Sequence, residues 1–597
     1  MRSSPSAARG DFQMKIQDSS AAYASVDAVD RDDDEPRPPT PDTPLERQCP
    51  SWLDWRVHLA ALPILFVGLL LLVNRYLYSP SAPCDAPSSH PSLFVRPDEA
   101  LPYSRASLLA ALGYEEDCSY PHRPTYCPRK TADLPSSDLA DTDGCRVAIV
   151  GAGIGGAYVA WRLLKEGNYT GRDICMFEMT SRLGGRIMSL RGLGQYRDLV
   201  VEPGAYRIWP AHTPTMWALK ETLRLNVSCY NPLDCQRYKL VDSDGANAGL
   251  IVMVETLVNK TVPLGIRTFP RHKLTRLNVS SEEEGPITLS FANDVHVRAD
   301  RVVLNVPVRP LLEVLRESDL PATMMTVERW KALHTLEGET VTKLYLYYSD
   351  AWWQTKLHLV GGDFSQEGDS QHMLLKGRYH DGHIRCRGGS NATEECYGFL
   401  LAVYEHDEAG ETARFFRRFQ RERGAPYTII DHDTPEGQLF LDHAHRRVVD
   451  FHREGLQNKS LSLYKQTLSL KPSFAVLSSW YPDTRGHGAG WHRWGAAECH
   501  SRSCCSCEAP LADLAADPFA SAGVPIYLVN EAYSDVQGWA EGSLQMADRV
   551  LERYFGLAYP WGHRPWEDRS EDLTTPAPEV GDGGGSGDVL LDSGGQL

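Results

Sequence analysis

The sequence lacks a surplus of basic residues, internal repeats and paired cysteine motifs at zinc-binding spacing. Lysine and arginine total 61 against 78 aspartate and glutamate residues, which gives a net charge of −17. This balance argues against a nucleic-acid partner. The cysteine cluster at residues 499–507 does not contain two C-x-x-C units, so we predict disulfide loops there and no metal site. His432, His443 and His445 are predicted to be surface or loop residues.

Large apolar side chains are scarce at both ends of the chain. Residues 1–50 are rich in serine, aspartate and proline, and the C-terminal segment contains the run Gly-Asp-Gly-Gly-Gly-Ser-Gly. Such segments cannot bury enough apolar surface to offset the entropy that ordering would cost. We therefore predict disordered tails at residues 1–56 and 570–597.

A long apolar run occupies residues 57–78 and has no charged residue between Leu59 and Val73. As a helix, the run would span about 33 Å, which is enough to cross the hydrocarbon core of a bilayer. We predict one transmembrane signal-anchor helix, with a buried core helix as the alternative. More arginines precede the run than follow it, which favours a cytoplasmic N-terminus.

Six of the twelve asparagines lie in N-glycosylation sequons, and all six follow the apolar run, as do thirteen of the fourteen cysteines. Both features indicate the secretory pathway, with the folded body lumenal or extracellular. The sequence leaves open which membrane, which disulfide pairs and which oligomeric state the protein has. The sequon asparagines are Asn168, Asn226, Asn259, Asn278, Asn391 and Asn458.

After a proline-rich stem, residues 79–144, the sequence predicts a β-α-β unit. A buried strand at residues 147–150 leads into a helix at 154–166 and a strand at 173–178. The intervening glycines have the spacing of a turn that approaches a dinucleotide phosphate, and the acid ending the second strand suits the adenosine ribose. An NAD site would look similar, and glycines serving only a tight turn are the alternative. The residues concerned are Gly151, Gly153, Ile154, Gly155, Gly156 and Glu178.

Two further motifs resemble those of the flavin-containing amine oxidase family, which contains the monoamine, polyamine and L-amino-acid oxidases. They are Ser-Arg-Leu-Gly-Gly-Arg at residues 181–186 and Asn-Glu-Ala-Tyr-Ser at 530–534, followed by Gly-Trp-Ala-Glu-Gly at 538–542. The resemblance covers about residues 145–565 and implies FAD, bound non-covalently because no cysteine precedes the expected aromatic cage. It adds these residues to the cofactor site: Arg182, Gly184, Gly185, Arg186, Ala205, Tyr206, Arg207, Glu531, Gly538 and Trp539.

The resemblance implies an α/β fold with two domains. A discontinuous, Rossmann-like FAD-binding domain would be capped by a mixed α+β substrate domain. We expect the FAD-binding domain to comprise residues 145–210, 248–310 and 485–565. The substrate domain would comprise residues 211–247 and 311–484.

Two basic residues match family positions next to the flavin. The arginine of a Gly-x-x-Arg turn, here Arg207, pairs with the substrate carboxylate in L-amino-acid oxidases, where a planar guanidinium can donate two parallel hydrogen bonds. An arginine bound within the protein is the alternative. Lys343 matches a lysine that lies near flavin N5 and assists reoxidation by oxygen. Strand alternation alone would favour a solvent-facing lysine.

Aromatic residues complete the predicted substrate site. Trp539 lies where the family projects one wall of an aromatic cage, and the opposite wall comes from Trp491 or Trp494, between which the sequence does not choose. Each could instead be a packing tryptophan.

The resemblance implies oxidative deamination of an L-amino acid. A hydride would pass from Cα to flavin N5, and oxygen would be reduced to hydrogen peroxide. The imino acid would then hydrolyse to a 2-oxo acid and ammonia. The alternatives are an amine or polyamine oxidase and a membrane-anchored flavoprotein without catalytic activity.

Overall fold

The computed structural model describes twelve segments of the chain, which all lie within the unit Leu93–Ser570. The predicted tails, the apolar run at residues 57–78, most of the stem and the cysteine cluster at 499–507 lie outside these segments. None of the helices in these segments has the length and hydropathy of a membrane span. The segments are residues 133–137, 144–279, 285–318, 320, 324–368, 373–388, 395–407, 411–417, 419, 426–481, 487–495 and 510–562.

The described residues form nineteen strands and twelve α-helices. The strands are β1 (Cys145–Val150), β2 (Ile174–Phe177), β3 (Leu190–Leu193), β4 (Leu199–Val201), β5 (Asn226–Asn231), β6 (Asp234–Val241), β7 (Arg267–Phe269), β8 (Leu274–Val279), β9 (Ile287–Phe291), β10 (His296–Leu304), β11 (Leu336–Tyr348), β12 (Asp363–Gln366), β13 (Leu375–Arg378), β14 (Ile384–Arg387), β15 (Glu395–Asp407), β16 (Tyr427–Asp431), β17 (Phe474–Trp480), β18 (Trp491–Trp494) and β19 (Ile526–Leu528). The helices are α1 (Ile154–Glu166), α2 (Pro214–Thr222), α3 (Val252–Thr261), α4 (Val308–Glu317), α5 (Val327–His334), α6 (Trp352–Thr355), α7 (Glu411–Arg417), α8 (Pro435–Phe451), α9 (Arg453–Lys459), α10 (Leu461–Ser469), α11 (Leu511–Ala516) and α12 (Ala540–Phe555).

The first sheet is built around the β-α-β unit of β1, α1 and β2, as the sequence predicts. Its strands run in the order β7, β2, β1, β10, β9, β8, and β19 also pairs with β10. The contacts of β1 with β2 and β10, of β2 with β7, and of β10 with β19 are all parallel. The carboxyl ends of these strands therefore meet at one edge, which is where open α/β sheets bind nucleotides.

The second sheet is antiparallel, with the strand order β12, β13, β15, β11, β17, β16. Its central strand β11 pairs with β15 on one side and β17 on the other, and its first residues pair with β18. From residue 339 onwards β11 is almost entirely buried. Strand alternation therefore brings no side chain of its second half to solvent.

Two short hairpins form separate two-stranded sheets. Leu190 and Leu199 of the hairpin β3–β4 pack into a cluster with Tyr345 and Phe399 of the second sheet. The hairpin β5–β6 is closed by the disulfide Cys229–Cys235. Two further disulfides, Cys145–Cys175 and Cys386–Cys396, tie neighbouring strands together.

One histidine lies elsewhere than predicted. His432 follows β16 in a turn and His443 is half-buried on α8, but His445 is fully buried on the same helix. The ring of His445 is hydrogen-bonded to the hydroxyl of Tyr348 (3.1 Å) and to the carbonyl of Thr467 (3.1 Å). The expectation of a surface position was wrong because the sequence does not reveal this buried tyrosine partner.

Candidate active site

A cavity of about 280 Å³ lies at the carboxyl edge of the first sheet. Its walls come from the glycine turn after β1, the turn at residues 184–187, the ends of β10 and β19, and the start of α12. Most of the predicted cofactor-binding residues line it. These are Gly151, Gly153, Ile154, Glu178, Gly184, Gly185, Arg186, Ala205, Glu531, Gly538 and Trp539.

The glycine turn leaves no space for side chains where it packs against the sheet. A Cβ at Gly151, whose φ is +102°, would lie 2.5 Å from the carbonyl oxygen of Asn305, and one at Gly156 would lie 2.1 Å from that of Gly151. Gly153 lines the cavity and caps α1, whose first turn carries neither an acidic residue nor a side-chain cap. The N–H groups of this turn are therefore oriented to bind a diphosphate.

A second turn, at residues 182–187, is attached to the first. Gly184 donates its N–H to the carbonyl of Ala152 (3.0 Å) and has a φ of +92°. The guanidinium of Arg182 donates to the carbonyls of Leu183 (3.0 Å) and Gly185 (2.9 Å). Arg182 thus shapes the turn from behind rather than lining the cavity.

Glu178, the residue after β2, lines the cavity and is hydrogen-bonded to the glycine turn and to Thr180. Its Oε2 accepts a hydrogen bond from the N–H of Ala152 (3.0 Å), and its Oε1 accepts from the N–H and hydroxyl of Thr180 (both 2.9 Å). A carboxylate has about four lone-pair sites, so capacity remains for ribose hydroxyls.

Glu531 is held by residues from two distant segments. Its Oε1 accepts from Arg186 and lies 3.0 Å from Nδ1 of His492. Its Oε2 is buried and has no hydrogen-bond partner among the described residues. Burial alone would raise the pKa of Glu531, but Arg186 and His492 outweigh it and lower the pKa. The free oxygen is therefore a charged acceptor in the cavity wall, suited to a hydroxyl-bearing chain.

Asn305, which lines the cavity, and His492, which contacts Glu531, are among the residues that were not predicted. Asn305, directly after β10, donates from Nδ2 to the carbonyl of Gly151 (3.3 Å) and accepts at Oδ1 from Asn530 (3.1 Å). Its position at the carboxyl end of a predicted parallel strand was a signal that could have identified it. His492 carried no such signal, because its contact with Glu531 spans 39 residues.

Lys343 is buried in the middle of β11, which excludes the solvent-facing alternative. Its Nζ donates to the carbonyls of Glu202 (3.0 Å) and Gly204 (2.5 Å) and lies 3.9 Å from the centre of the Tyr206 ring. Burial lowers the pKa of Lys343 to about 7, although the charges of Glu202 and Asp381 act in the opposite direction. The lysine holds the backbone just before Ala205, which lines the cavity.

Arg207 forms a buried ion pair with Asp381, whose carboxylate also accepts from the hydroxyl of Tyr206 (2.8 Å). Burial alone would lower the pKa of Arg207, but Asp381 outweighs it and raises the pKa. Nε of Arg207 and Oδ1 of Asp381 are buried without a hydrogen-bond partner among the described residues. The alternative of an arginine bound within the protein is thus realised through one terminal nitrogen of the guanidinium, while Nε has no partner among the described residues. Sequence reasoning missed Asp381.

The three tryptophans of the predicted aromatic site have different surroundings. Trp539 lines the cavity and makes an edge-to-face contact with Trp209, at 6.3 Å between ring centres. Trp491 lies against Gly538, where a Cβ would be 3.4 Å from its ring. Trp494 packs on the core and donates its indole N–H to the carbonyl of Ser534 (3.1 Å). Trp491 therefore lies beside Gly538, the residue before Trp539, and Trp494 packs on the core.

Comparisons with known proteins agree with the motifs. A model of flavin containing amine oxidoreductases matches residues 253–384, and one of the NAD(P)-binding Rossmann-like domain matches residues 149–223. Tryptophan 2-monooxygenase of Pantoea agglomerans pv. gypsophilae is 48% identical over 69 residues, which are 11% of this chain and 12% of that protein. The chain therefore matches only a small part of the length of this curated relative.

Solved structures of a single and a triple mutant of putrescine oxidase cover 68% of this chain and 97% of their own. Their sequence identity is 13% and their TM-scores are 0.42 and 0.41, which is too little similarity to inform on the substrate. The predicted resemblance to the flavin amine oxidase family is confirmed by the family models, and with it the cofactor, FAD. The glycine turns at residues 151–156 and 182–187, which we call the glycine cradle, and the N-terminus of α1 fit the diphosphate of FAD. The free Oε2 of Glu531 fits its ribityl chain.

Proposed function

We propose that this protein, an FAD-dependent oxidoreductase similar to the flavin-containing amine oxidoreductases, is an oxidase of L-amino acids that uses oxygen as acceptor and binds FAD non-covalently. The observation that carries the proposal is the position of Arg207. It lies two residues after Ala205 of the cavity wall, on a turn fastened to β11 by Lys343. A substrate carboxylate at this turn would be close to the cofactor.

The ion pair with Asp381 leaves Arg207 able to bind a carboxylate. Only one terminal nitrogen of its guanidinium donates to Asp381, and Nε has no partner among the described residues. A guanidinium has five N–H donors, so a second carboxylate can be bound along another edge. Asp381 would hold the guanidinium in a fixed orientation, as a positioning residue.

Aromatic rings suit the amine end of the substrate. Trp539 and Trp209 meet beside the cavity, and their faces favour an amine nitrogen and an apolar Cβ region alike. Bound FAD supplies the hydride acceptor and the route of electrons to oxygen. Lys343 places a positive charge behind the turn at residues 204–207, which we call the Gly204 turn. This charge favours the negative charge that develops as oxygen is reduced.

The experiment that tests the proposal is substitution of Arg207 in the full chain with FAD bound. In stopped-flow anaerobic reduction, Arg207→Ala should raise the apparent Kd of an L-amino acid by about tenfold to a hundredfold. Arg207→Lys should recover part of the loss, because it restores the charge without the fork. A Kd unchanged in Arg207→Ala would refute the role of Arg207 in binding a carboxylate.

An amine oxidase is the second candidate, favoured by the pairing of Arg207 with Asp381, since an internally bound arginine need not bind substrate. In that case amines without a carboxylate would reduce the flavin, and Arg207→Ala would act through stability alone. Melting temperatures of the variants separate the two cases. A flavoprotein without catalysis would show no reduction by either class of compound.

We also propose a single-pass membrane protein with this body lumenal or extracellular. The three disulfides among the described residues support an oxidising compartment. The sequon asparagines Asn168, Asn226, Asn259 and Asn458 are exposed, as glycosylation requires, whereas Asn278 is half-buried. Endoglycosidase treatment of the protein made in a eukaryotic secretory host should lower its apparent mass, and an unchanged mass would contradict the proposal.

A further inference from the structure

The residues that follow the Gly204 turn pair with strand β6, and the register of this pairing brings several basic side chains close together. Ile208 and Tyr238 exchange both backbone hydrogen bonds, at 2.9 and 2.8 Å, in an antiparallel bridge. Antiparallel pairing therefore places Arg207 opposite Lys239 and Trp209 opposite Arg237. We call these four residues, Arg207, Trp209, Arg237 and Lys239, the cationic face.

Ile208 and Tyr238, which form the bridge, point towards an apolar environment, so the cationic face lies on the opposite side of the paired strands. Ile208 is fully buried, and Tyr238 packs against Trp217 at 5.2 Å between ring centres. Alternation then directs the residues before and after Ile208 to the opposite side. Consistent with this register, the guanidinium of Arg237 lies 4.7 Å from the centre of the Trp209 ring.

The cationic face carries three basic side chains, and only one of them is paired with a carboxylate of the described residues. Arg207 is paired with Asp381, whereas Arg237 and Lys239 form no ion pair with any carboxylate in the part of the chain that the structure describes. Both are half-buried on β6, and Lys239 lies 5.5 Å from the centre of the Tyr230 ring. Like charges opposite each other on paired strands are destabilising unless an anion lies between them.

Buried polar atoms without partners point to the same place. The hydroxyl of Tyr230, a residue only 4% exposed, has no hydrogen-bond partner among the described residues, and neither has Nε of Arg207. The ring of Tyr230 packs edge-to-face on Tyr206, at 5.4 Å between ring centres. Buried hydroxyls are normally hydrogen-bonded, so these donors indicate a ligand with acceptor oxygens.

The cationic face adjoins the cofactor cavity. Trp209 contacts Trp539, which lines the cavity, and Arg207 follows two residues after Ala205, which also lines it. From these relationships we infer that the substrate is an acidic amino acid. Its α-carboxylate would bind Arg207, and its side-chain carboxylate would bind Arg237 and Lys239, with Tyr230 donating to one of the two.

Burial and charge support this inference. Burial lowers the pKa of Arg237, and the nearby charges of Arg207 and Arg378 lower it further. Burial also lowers the pKa of Lys239, against the attraction of Asp381. A second carboxylate would relieve this accumulation of positive charge. A diamine would add to it, which argues against a cationic polyamine as substrate.

The inference rests on the proposed function, and the test separates the two. The full chain with FAD bound is reduced anaerobically with L-glutamate or L-glutamine, and with L-aspartate or L-asparagine, pairs that differ in side-chain charge at nearly equal shape. We expect each acidic substrate to be favoured in the ratio of reduction rate to Kd by at least about tenfold. In Arg237→Gln and Lys239→Gln this preference should fall towards one, and Arg237→Lys should retain part of it. The matched control is Lys260→Gln, which removes an exposed lysine at the end of α3 and should keep the preference.

A binding measurement decides the inference whether or not the flavin is reduced. Glutarate and its monoamide are titrated into the oxidised protein, and the perturbation of the flavin absorbance gives their Kd values. Tighter binding of glutarate, lost in Arg237→Gln, would support the acidic substrate even if no L-amino acid reduced the flavin and the proposed function had failed. Equal Kd values, no binding of either compound, or equal reduction by the acid and its amide would overturn the inference.

Discussion

The guanidinium of Arg186 donates to Oε1 of Glu531, a residue 345 positions further along the chain. The same guanidinium donates to Oδ1 of Asn530 at 2.7 Å. These contacts join the turn at residues 182–187 to the segment after β19. Residues far apart in the sequence therefore form one wall of the cavity. Oε2 of Glu531 is left without a partner among the described residues.

Replacing Glu531 should weaken FAD binding. Glu531→Gln keeps the shape but removes the charged acceptor and leaves Arg186 without its counter-charge. Because one hydrogen bond to a charged group contributes about 1.5–3 kcal/mol, we expect the Kd of FAD to rise by about tenfold or more. Titration of apoprotein with FAD, followed by fluorescence, measures this Kd. Glu436→Gln, at an exposed position of α8, is the control. An equal Kd in Glu531→Gln and in the unsubstituted protein would contradict the assignment.

Alanine at two glycines of positive φ should separate backbone strain from loss of the cofactor cradle. A Cβ at Gly184 (φ +92°) would lie 2.4 Å from the carbonyl oxygen of Ile187, whereas one at Gly245 (φ +73°) would have nothing within 4 Å. We expect Gly245→Ala to cost about 1–2 kcal/mol of unfolding free energy and to keep FAD. Gly184→Ala should cost at least about 1–3 kcal/mol more and lower the flavin content. Chemical denaturation and the ratio of flavin to protein absorbance measure both effects. Full flavin content in Gly184→Ala would be inconsistent with the cradle.

Removing the charge of Lys343 should slow the reaction of the reduced enzyme with oxygen. Stabilisation of developing charge by one preorganised group contributes about a hundredfold in rate, so Lys343→Met should lose about that factor in stopped-flow reoxidation. Because burial lowers the pKa of Lys343 to about 7, the rate in the unsubstituted protein should fall as the pH rises through 7. Lys465→Met, on the exposed side of α10, is the control. If the reoxidation rate did not depend on pH and was the same in Lys343→Met and in the unsubstituted protein, Lys343 would have no role in the reaction with oxygen.

Buried histidines should make the protein sensitive to acid. Burial lowers the pKa of His452 from 6.5 to about 4, and the ring is hydrogen-bonded to the hydroxyl of Tyr379 (2.7 Å). The folded state thus binds fewer protons than the unfolded state between these values. The neutral ring of His452 therefore contributes to the free energy of unfolding above pH 6.5. This contribution is lost as the pH falls towards 4, by up to about 3 kcal/mol.

Urea denaturation from pH 7 to 4 tests this dependence. The unfolding free energy of His452→Gln should fall less steeply with acidification than that of the unsubstituted protein. His334→Gln, at an exposed position on α5, should keep the original slope. Equal slopes for His452→Gln and the unsubstituted protein would rule out this source of acid sensitivity.

The cofactor half of the site could be predicted because its signals are local. The strand at residues 147–150, the glycines that follow and the helix at 154–166 are contiguous, and the helix has the predicted bounds. The substrate half depends on contacts across long separations. Asp381 lies 174 residues from Arg207, and nothing near either residue announces their pairing.

Strand register set a second limit on the sequence prediction. The positions of Arg237 and Lys239 opposite the Gly204 turn follow from one bridge between Ile208 and Tyr238, which no hydrophobic pattern specifies. The alternation rule also failed for Lys343, because β11 lies at the centre of a sheet and both of its faces are buried.

The most direct test of the proposed function is anaerobic bleaching of the flavin band in the full chain. L-amino acids are compared with their D-enantiomers and with the amines that remain after removal of the carboxylate. The proposed carboxylate site predicts bleaching by L-amino acids and little or none by the decarboxylated amines. Bleaching by the amines alone would contradict it.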